Sequence, residues 1–249
     1  MDDPHISSET LRTDLFKEFG VDDGLRIYRS VMSCTDRLTY AQFRLRHLSK
    51  VINEQVAPHF EVWQETYNVD EPEGVFNQSQ WEIRMLATEA VHHLHSVFDP
   101  LACAIYWFNV PVAQQKLPPR DVTFYKVRTC EQISLSYRKL MKDISSTGSF
   151  FHLAALSNSA KHSGIVRSPF SHERNGGHPI TAEEAILFES CEGPNPLSGE
   201  PNPTRLHKFP ETPISIYLKN EVQRVTPIFN KLVGLLRSDL TLRLNKHKP

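Results

Sequence analysis

The sequence predicts a mainly α protein: a bundle of five to six helices with a small β-hairpin-like insertion before the last helix. Apolar residues recur at three- and four-residue steps along most of the chain, the period of an amphipathic helix. The exception is the region of about 165–212, where turn residues and prolines surround one short alternating run. The 249 residues, 39% hydrophobic and 23% charged, are enough to bury a sizeable core.

Ser7, Ser8 and Glu9 can cap a first helix, with Leu11, Leu15, Phe16 and Phe19 on one face and Gly20 as its stop. A second pattern runs from Asp22 to Cys34 through Leu25, Ile27, Tyr28 and Val31. Asp36 is expected to cap a longer run carrying Leu38, Phe43, Leu45, Leu48, Val51, Ile52, Val56, Phe60 and Trp63, with Pro58 kinking or splitting it. VDEPEGVFNQS then reads as a loop, and Ser79 opens a helix from Trp81 to Phe108 with Pro100 inside it. After the connector NVPVAQQKLPPRD, one amphipathic helix is expected from Thr123 to about Ser146, and another from Phe150 towards Ile165. Arg167 to Thr181 is turn-rich, Glu184 to Cys191 alternates like a strand, and GPNPLSGEPNPTRLHKFPETP reads as a surface loop. A last long helix spans Ile214 to about Leu244. Residues 1–72 are expected to supply N-terminal helices that pack on a bundle formed by 73–249, as one compact unit.

Composition narrows the function. Lys and Arg number 28 against 29 Asp and Glu, a net charge of −1 that leaves no broad basic surface for nucleic acid, though a local basic pocket is compatible with it. No apolar run approaches the ~20 residues of a membrane span, and the acidic, polar N-terminus is unlike a signal peptide. The four cysteines (Cys34, Cys103, Cys130, Cys191) show no C-x-x-C pair, and Cys103 and Cys130 read as small buried hydrophobes. The expectation is a soluble cytoplasmic protein with no membrane partner, no cofactor and no metal site.

Four groups of residues bear on chemistry. In HLAALSNSAKHSGIV (152–166), Asn158 and His162 are four apart and share a helix face, with Lys161 beside them. An amide, an ammonium and an imidazole suit a phosphate or a leaving oxygen: donors fix the anion and the imidazole serves as acid or base. The alternative is that they satisfy backbone groups at the helix end. Glu89, His92 and His93 have the spacing of a helical metal site, but no partner helix repeats Glu-x-x-His, so a polar helix face is the plainer reading. His95 and Asp99, also four apart, are candidates to orient an imidazole of the first group. Tyr106, Trp107 and Phe108 are adjacent and cannot all face one core, so at least one is expected to meet a neighbouring element or a partner chain, though core packing is the plainer reading. Arg167, Arg174, His172, His178 and His207 could line a groove but read as solvated loop residues.

The SNSAKH segment, late in a helical bundle and before a hairpin and terminal helix, resembles the HEPN-type helical domains, whose signature is R-N-x-x-x-H. Asn158 matches the asparagine, His162 the histidine, and Ser157 stands where the arginine would. The helix with HSVFDPLACAIYWF and the N-x-x-K-H variant look like a bacterial branch of that family, over roughly Ser79 to Leu240. The resemblance implies a homodimer acting on or binding RNA or a nucleotide, and in active members metal-independent RNA cleavage at the dimer seam. His162 would then be general acid or base, Lys161 would stabilise the phosphate, Asn158 would position it, and Asp99 or His95 would orient. Without the arginine, no bidentate fork is available for the scissile phosphate, and Lys161 replaces it as a point charge. Two alternatives follow: a non-catalytic dimeric interaction or scaffold protein, and a metal-dependent bundle enzyme using Glu89, His92 and His93.

Overall fold

The computed structural model describes residues 8–60, 75–162, 164–166, 181–194 and 206–246. The protein is mainly α, with a short two-stranded β element ahead of the last helix. Among the described residues no helix is long and apolar enough to cross a membrane.

Helix α1 (Ser8–Val51) runs through Asp36 without a break; Asp36 is exposed inside it rather than a cap. Gly20 does end the first segment: at φ 78° and ψ 173° it is non-helical, in a region that glycine enters freely. The turn it makes brings Gly24 so close to Leu15 that a Cβ at Gly24 would sit 2.8 Å from the Leu15 carbonyl oxygen. Ahead of Pro58 the helix widens into a π turn (Ile52–Val56), in which the Ala57 N–H bonds the Ile52 carbonyl, and then tightens into a 3-10 turn (Ala57–His59). Proline lacks an N–H and its ring crowds the carbonyl four residues back, so the ladder re-registers where a kink was expected.

Helix α2 (Val75–His95) begins four residues before the expected Ser79. Ser79 is buried instead and donates to Gln55 Oε1 at 2.9 Å. The expected single helix from Trp81 to Phe108 is two, α2 and α3 (Phe98–Asn109). The break lies at Ser96–Val97, where Ser96 is the residue four before Pro100 whose carbonyl the proline ring displaces. The expected helix from Thr123 to Ser146 is likewise two: α4 (Phe124–Arg128), capped by Thr123, and α5 (Leu135–Ser145). Between them Cys130 and Ile133 N–H groups bond carbonyls three residues back, and the Ser134 carbonyl starts α5 by accepting from Arg138. Cys103 and Cys130 are half-buried rather than buried.

Helix α6 (Gly148–His162) is followed by α7 (Ala182–Ala185), a single turn where a strand was expected from Glu184. Thr181-x-x-Glu184 is a capping box: Thr181 Oγ1 accepts from the Glu184 N–H at 3.3 Å and Glu184 Oε2 from the Thr181 N–H at 3.2 Å. Strands β1 (Leu187–Phe188) and β2 (Cys191–Pro194) pair antiparallel with β4 (Thr212–Pro213) and β3 (Leu206–Phe209). The register is continuous, from Leu187↔Pro213 to Pro194↔Leu206, so the four strands form one ribbon interrupted once. At the interruption Pro210 has no N–H to donate and the Glu189 N–H turns to the Ile165 carbonyl at 2.8 Å. Residues 193–194, 206–209 and 212–213 of the segment expected as loop are therefore strand. Helix α8 (Ile214–Lys246) completes the chain, with Pro227 inside it.

The chain divides into two compact units, each assembled from separate segments. The first comprises residues 1–37, 96–145 and 225–249. Its core contains Leu15, Ile27, Val31, Leu101, Ile105, Val127, Met141, Leu232 and Leu236. Here all three adjacent aromatics are buried, each by a different neighbour. Tyr106 Oη accepts from the Lys116 and Leu117 N–H groups, Trp107 lies under the Arg26 guanidinium at 4.9 Å, and Phe108 meets Phe19 at 5.3 Å. The second unit comprises residues 38–95 and 146–224. In it α2 and the ribbon both pack on α6, the ribbon so tightly that a Cβ at Gly193 would fall 2.6 Å from Ala155 Cβ.

Candidate functional site

Thr147 starts α6, accepting the Phe150 N–H at 3.3 Å. From Phe150 to Ser157 every residue is buried, so this helix is the centre of the second unit. The character then switches within one residue: Asn158 is exposed, Ser159 and Ala160 are half-buried, and Lys161 is exposed. His162 closes the helix, with its side chain outside the described residues.

Helix α2 adds His92, a residue with the spacing of a helical metal site. His92 Nδ1 lies 3.3 Å from Ser157 Oγ. Lys161, four residues beyond Ser157 and on the same face, lies close enough to act on the imidazole electrostatically. Partial burial first, and then the Lys161 charge, lower the His92 pKa below its usual value, so the ring is neutral at physiological pH. Ser157 itself is 1% exposed and turned inward. A position buried against α2 is no place for a guanidinium that must reach a phosphate.

The remaining candidates go elsewhere. Glu89 is ion-paired with Arg44, and the His93 ring lies against Tyr40, tilted 33° with centroids 5.3 Å apart. With His92 at Ser157, the three side chains have three different neighbours. Among the described residues no group of three or more His, Cys, Asp or Glu is placed to hold a metal ion. His95 is the half-buried last residue of α2. Asp99 belongs to the first unit, where its Oδ1 accepts the Phe124 N–H at 3.1 Å and so holds the start of α4. His207 is exposed on β3, while Arg167, His172, Arg174 and His178 lie outside the described residues.

The structure also brings together a group not foreseen from the sequence. The His152 ring lies flat on Phe209, centroids 4.7 Å apart and planes 3° from parallel, with Tyr217 against its edge at 4.8 Å. Phe188 stands perpendicular to Tyr217 at 5.6 Å. Among the described residues His152 Nε2 and Tyr217 Oη are buried without a hydrogen-bond partner. Burial, reinforced by the nearby His207, lowers the His152 pKa to about 4. Burial, with the Glu221 carboxylate, raises the Tyr217 hydroxyl. Glu221, 3% exposed, is itself held by both Arg224 Nε and Nη2. A histidine inside the apolar run FFHLAAL was the one sequence signal for this group. It is a neutral aromatic packing cluster that fastens the ribbon and α8 to α6.

Chemically, the α6 end offers an ammonium and an amide at the surface beside a neutral imidazole. The carbonyl end of a helix repels anions, so Lys161 must carry the charge of any anion bound there. Comparison of the chain with family models, curated proteins and solved structures found no match.

Proposed function

We propose that the protein is a HEPN-like, homodimeric domain that binds RNA, or a nucleotide, through a phosphate at the exposed end of α6. Asn158 and Lys161 make the contact, His162 flanks it, and His92 lends a neutral imidazole from α2. The observation that carries this reading is the abrupt change from a buried helix to exposed Asn158 and Lys161, with His92 brought beside Lys161.

Binding is better supported than cleavage. At the position of the family arginine, Ser157 is buried on His92, and cleavage would rest on His162 as the acid or base with Lys161 as the cation. Fluorescence anisotropy with a labelled RNA octamer tests the binding. Lys161→Ala should weaken it and reduce the slope of log affinity against log salt by about 1. Equal affinity and equal slope in wild type and variant would end this reading. A gel of total RNA incubated with wild type and His162→Ala tests the chemistry; cutting by wild type alone would establish a ribonuclease.

A further inference from the structure

Trp81, Met85, Thr88 and His92 are spaced four, three and four apart on α2, which aligns them in one straight stripe. The opposite face of the helix, with Ile83, Leu86, Ala87, Ala90 and Leu94, is buried. On the stripe, Trp81 is 70% exposed and Met85 51%. A tryptophan so exposed contributes little to the core, and single exposed apolar residues need no explanation. These are not single. Helix α1 edges α2 through the tilted Tyr40–His93 ring contact, the Arg44–Glu89 ion pair and the His47–Glu82 contact at 3.0 Å, and carries exposed Tyr40 and Phe43 along that edge.

Cations are interleaved with these rings. Arg84 stands over Trp81 at 5.9 Å, its Nε without a hydrogen-bond partner among the described residues, and Arg44, ion-paired with Glu89, stands over Phe43 at 5.7 Å. Glu82 and Glu89 are taken by His47 and Arg44, while Asp36 is exposed four residues before Tyr40. At the far end, His92 meets Ser157 beside Lys161. Flat rings beside the Arg84 guanidinium, with Lys161 at the far end, suit a single-stranded nucleic acid, whose bases stack while its phosphates are neutralised. An apolar helix from a protein partner would gain nothing from the cations.

We propose that the Trp81–Met85 stripe, edged by Tyr40 and Phe43, is a base-stacking platform for single-stranded RNA whose phosphate is held by Lys161 and Asn158. The inference rests on the phosphate-binding role of the α6 end and extends it to a substrate class. Eleven residues separate Trp81 from His92, about 16 Å along the helix axis. That length spans about three to five nucleotides, depending on how far the strand is extended.

The test uses an adenosine octamer, a uridine octamer and tripolyphosphate as probes, with Trp81→Ala, Trp81→Phe and Lys161→Ala. Trp81 is exposed, so its substitutions leave the fold intact. Wild type should prefer the adenosine octamer, because purines stack better. Trp81→Ala should weaken octamer binding by about tenfold with the salt slope unchanged, and Trp81→Phe should recover most of the loss. Competition by tripolyphosphate for the wild-type site should be unaffected by Trp81→Ala and lost in Lys161→Ala. Equal octamer affinity in wild type and Trp81→Ala would overturn the platform while leaving the phosphate site standing. If wild type binds no octamer the platform is also overturned, and failure of tripolyphosphate to bind would then mark the failure of the α6 reading itself. Dissociation of a wild-type dimer by Trp81→Ala, with RNA affinity unchanged, would assign the face to a contact between copies and overturn the proposal.

Discussion

Acidification should destabilise the second unit through His152. The ring is 9% exposed, stacked on Phe209 and edged by Tyr217, and nothing among the described residues accepts a proton from its Nε2. In the unfolded chain the imidazole titrates near 6.5; in the folded protein burial, with His207 adding to it, holds the value at about 4. Below pH 6.5 the unfolded state therefore takes up a proton that the folded state refuses, and stability falls until the folded ring also titrates. His152 thus contributes stability that is full above about pH 6.5 and lost as pH falls through about 4. At about 1.4 kcal/mol for each tenfold in proton concentration, the loss is on the order of 3 kcal/mol. The assay is urea denaturation between pH 4 and pH 8 for wild type and His152→Phe, followed by hydrogen exchange on α6. Phenylalanine keeps the stack on Phe209 and removes both the titration and the orphaned nitrogen. The variant should be at least as stable as wild type at pH 7, and the gap should widen in its favour as pH falls from 6.5 to 4. Parallel curves for the two proteins would refute the reasoning, because they would mean that His152 charges as freely in the fold as outside it.

Two further predictions concern the first unit. Gly24→Ala should destabilise by about 1–3 kcal/mol, since the new Cβ meets the Leu15 carbonyl oxygen and Phe16 Cδ1 at 2.8 Å and backbone must move; an unchanged thermal midpoint would contradict the close approach after Gly20. Asp99→Ala should cost about 1 kcal/mol by releasing the Phe124 N–H, with RNA binding unchanged. Lost binding at full stability would return Asp99 to the site.

Proline placement shows how far local sequence reaches. Pro58 and Pro100 were legible as disturbances, yet each acts four residues upstream, at the π turn before Pro58 and at Ser96 before Pro100. The boundary is set where the displaced carbonyl lies. The ribbon shows the opposite error. Prolines at 210 and 213 made its second half look like loop, whereas Pro213 stands in the first pair of the ribbon and Pro210 at its interruption, where no N–H is required. The capping box at Thr181 was present in the sequence and hidden by an apparent alternation.

Whereas Phe43, part of an apolar run, is exposed, the mainly α class, the stop at Gly20 and the polar end of α6 from Asn158 to His162 are read directly from the sequence. These depend on periodicity and backbone chemistry within a few residues of one another. Which side chains meet is set by packing at a distance along the chain. His92 joins Ser157 and Lys161, Asp99 secures α4, and His152 is enclosed by Phe209 and Tyr217, more than fifty residues further along the chain. Such pairings follow from how helices and ribbon pack on a shared core, and no local spacing encodes them.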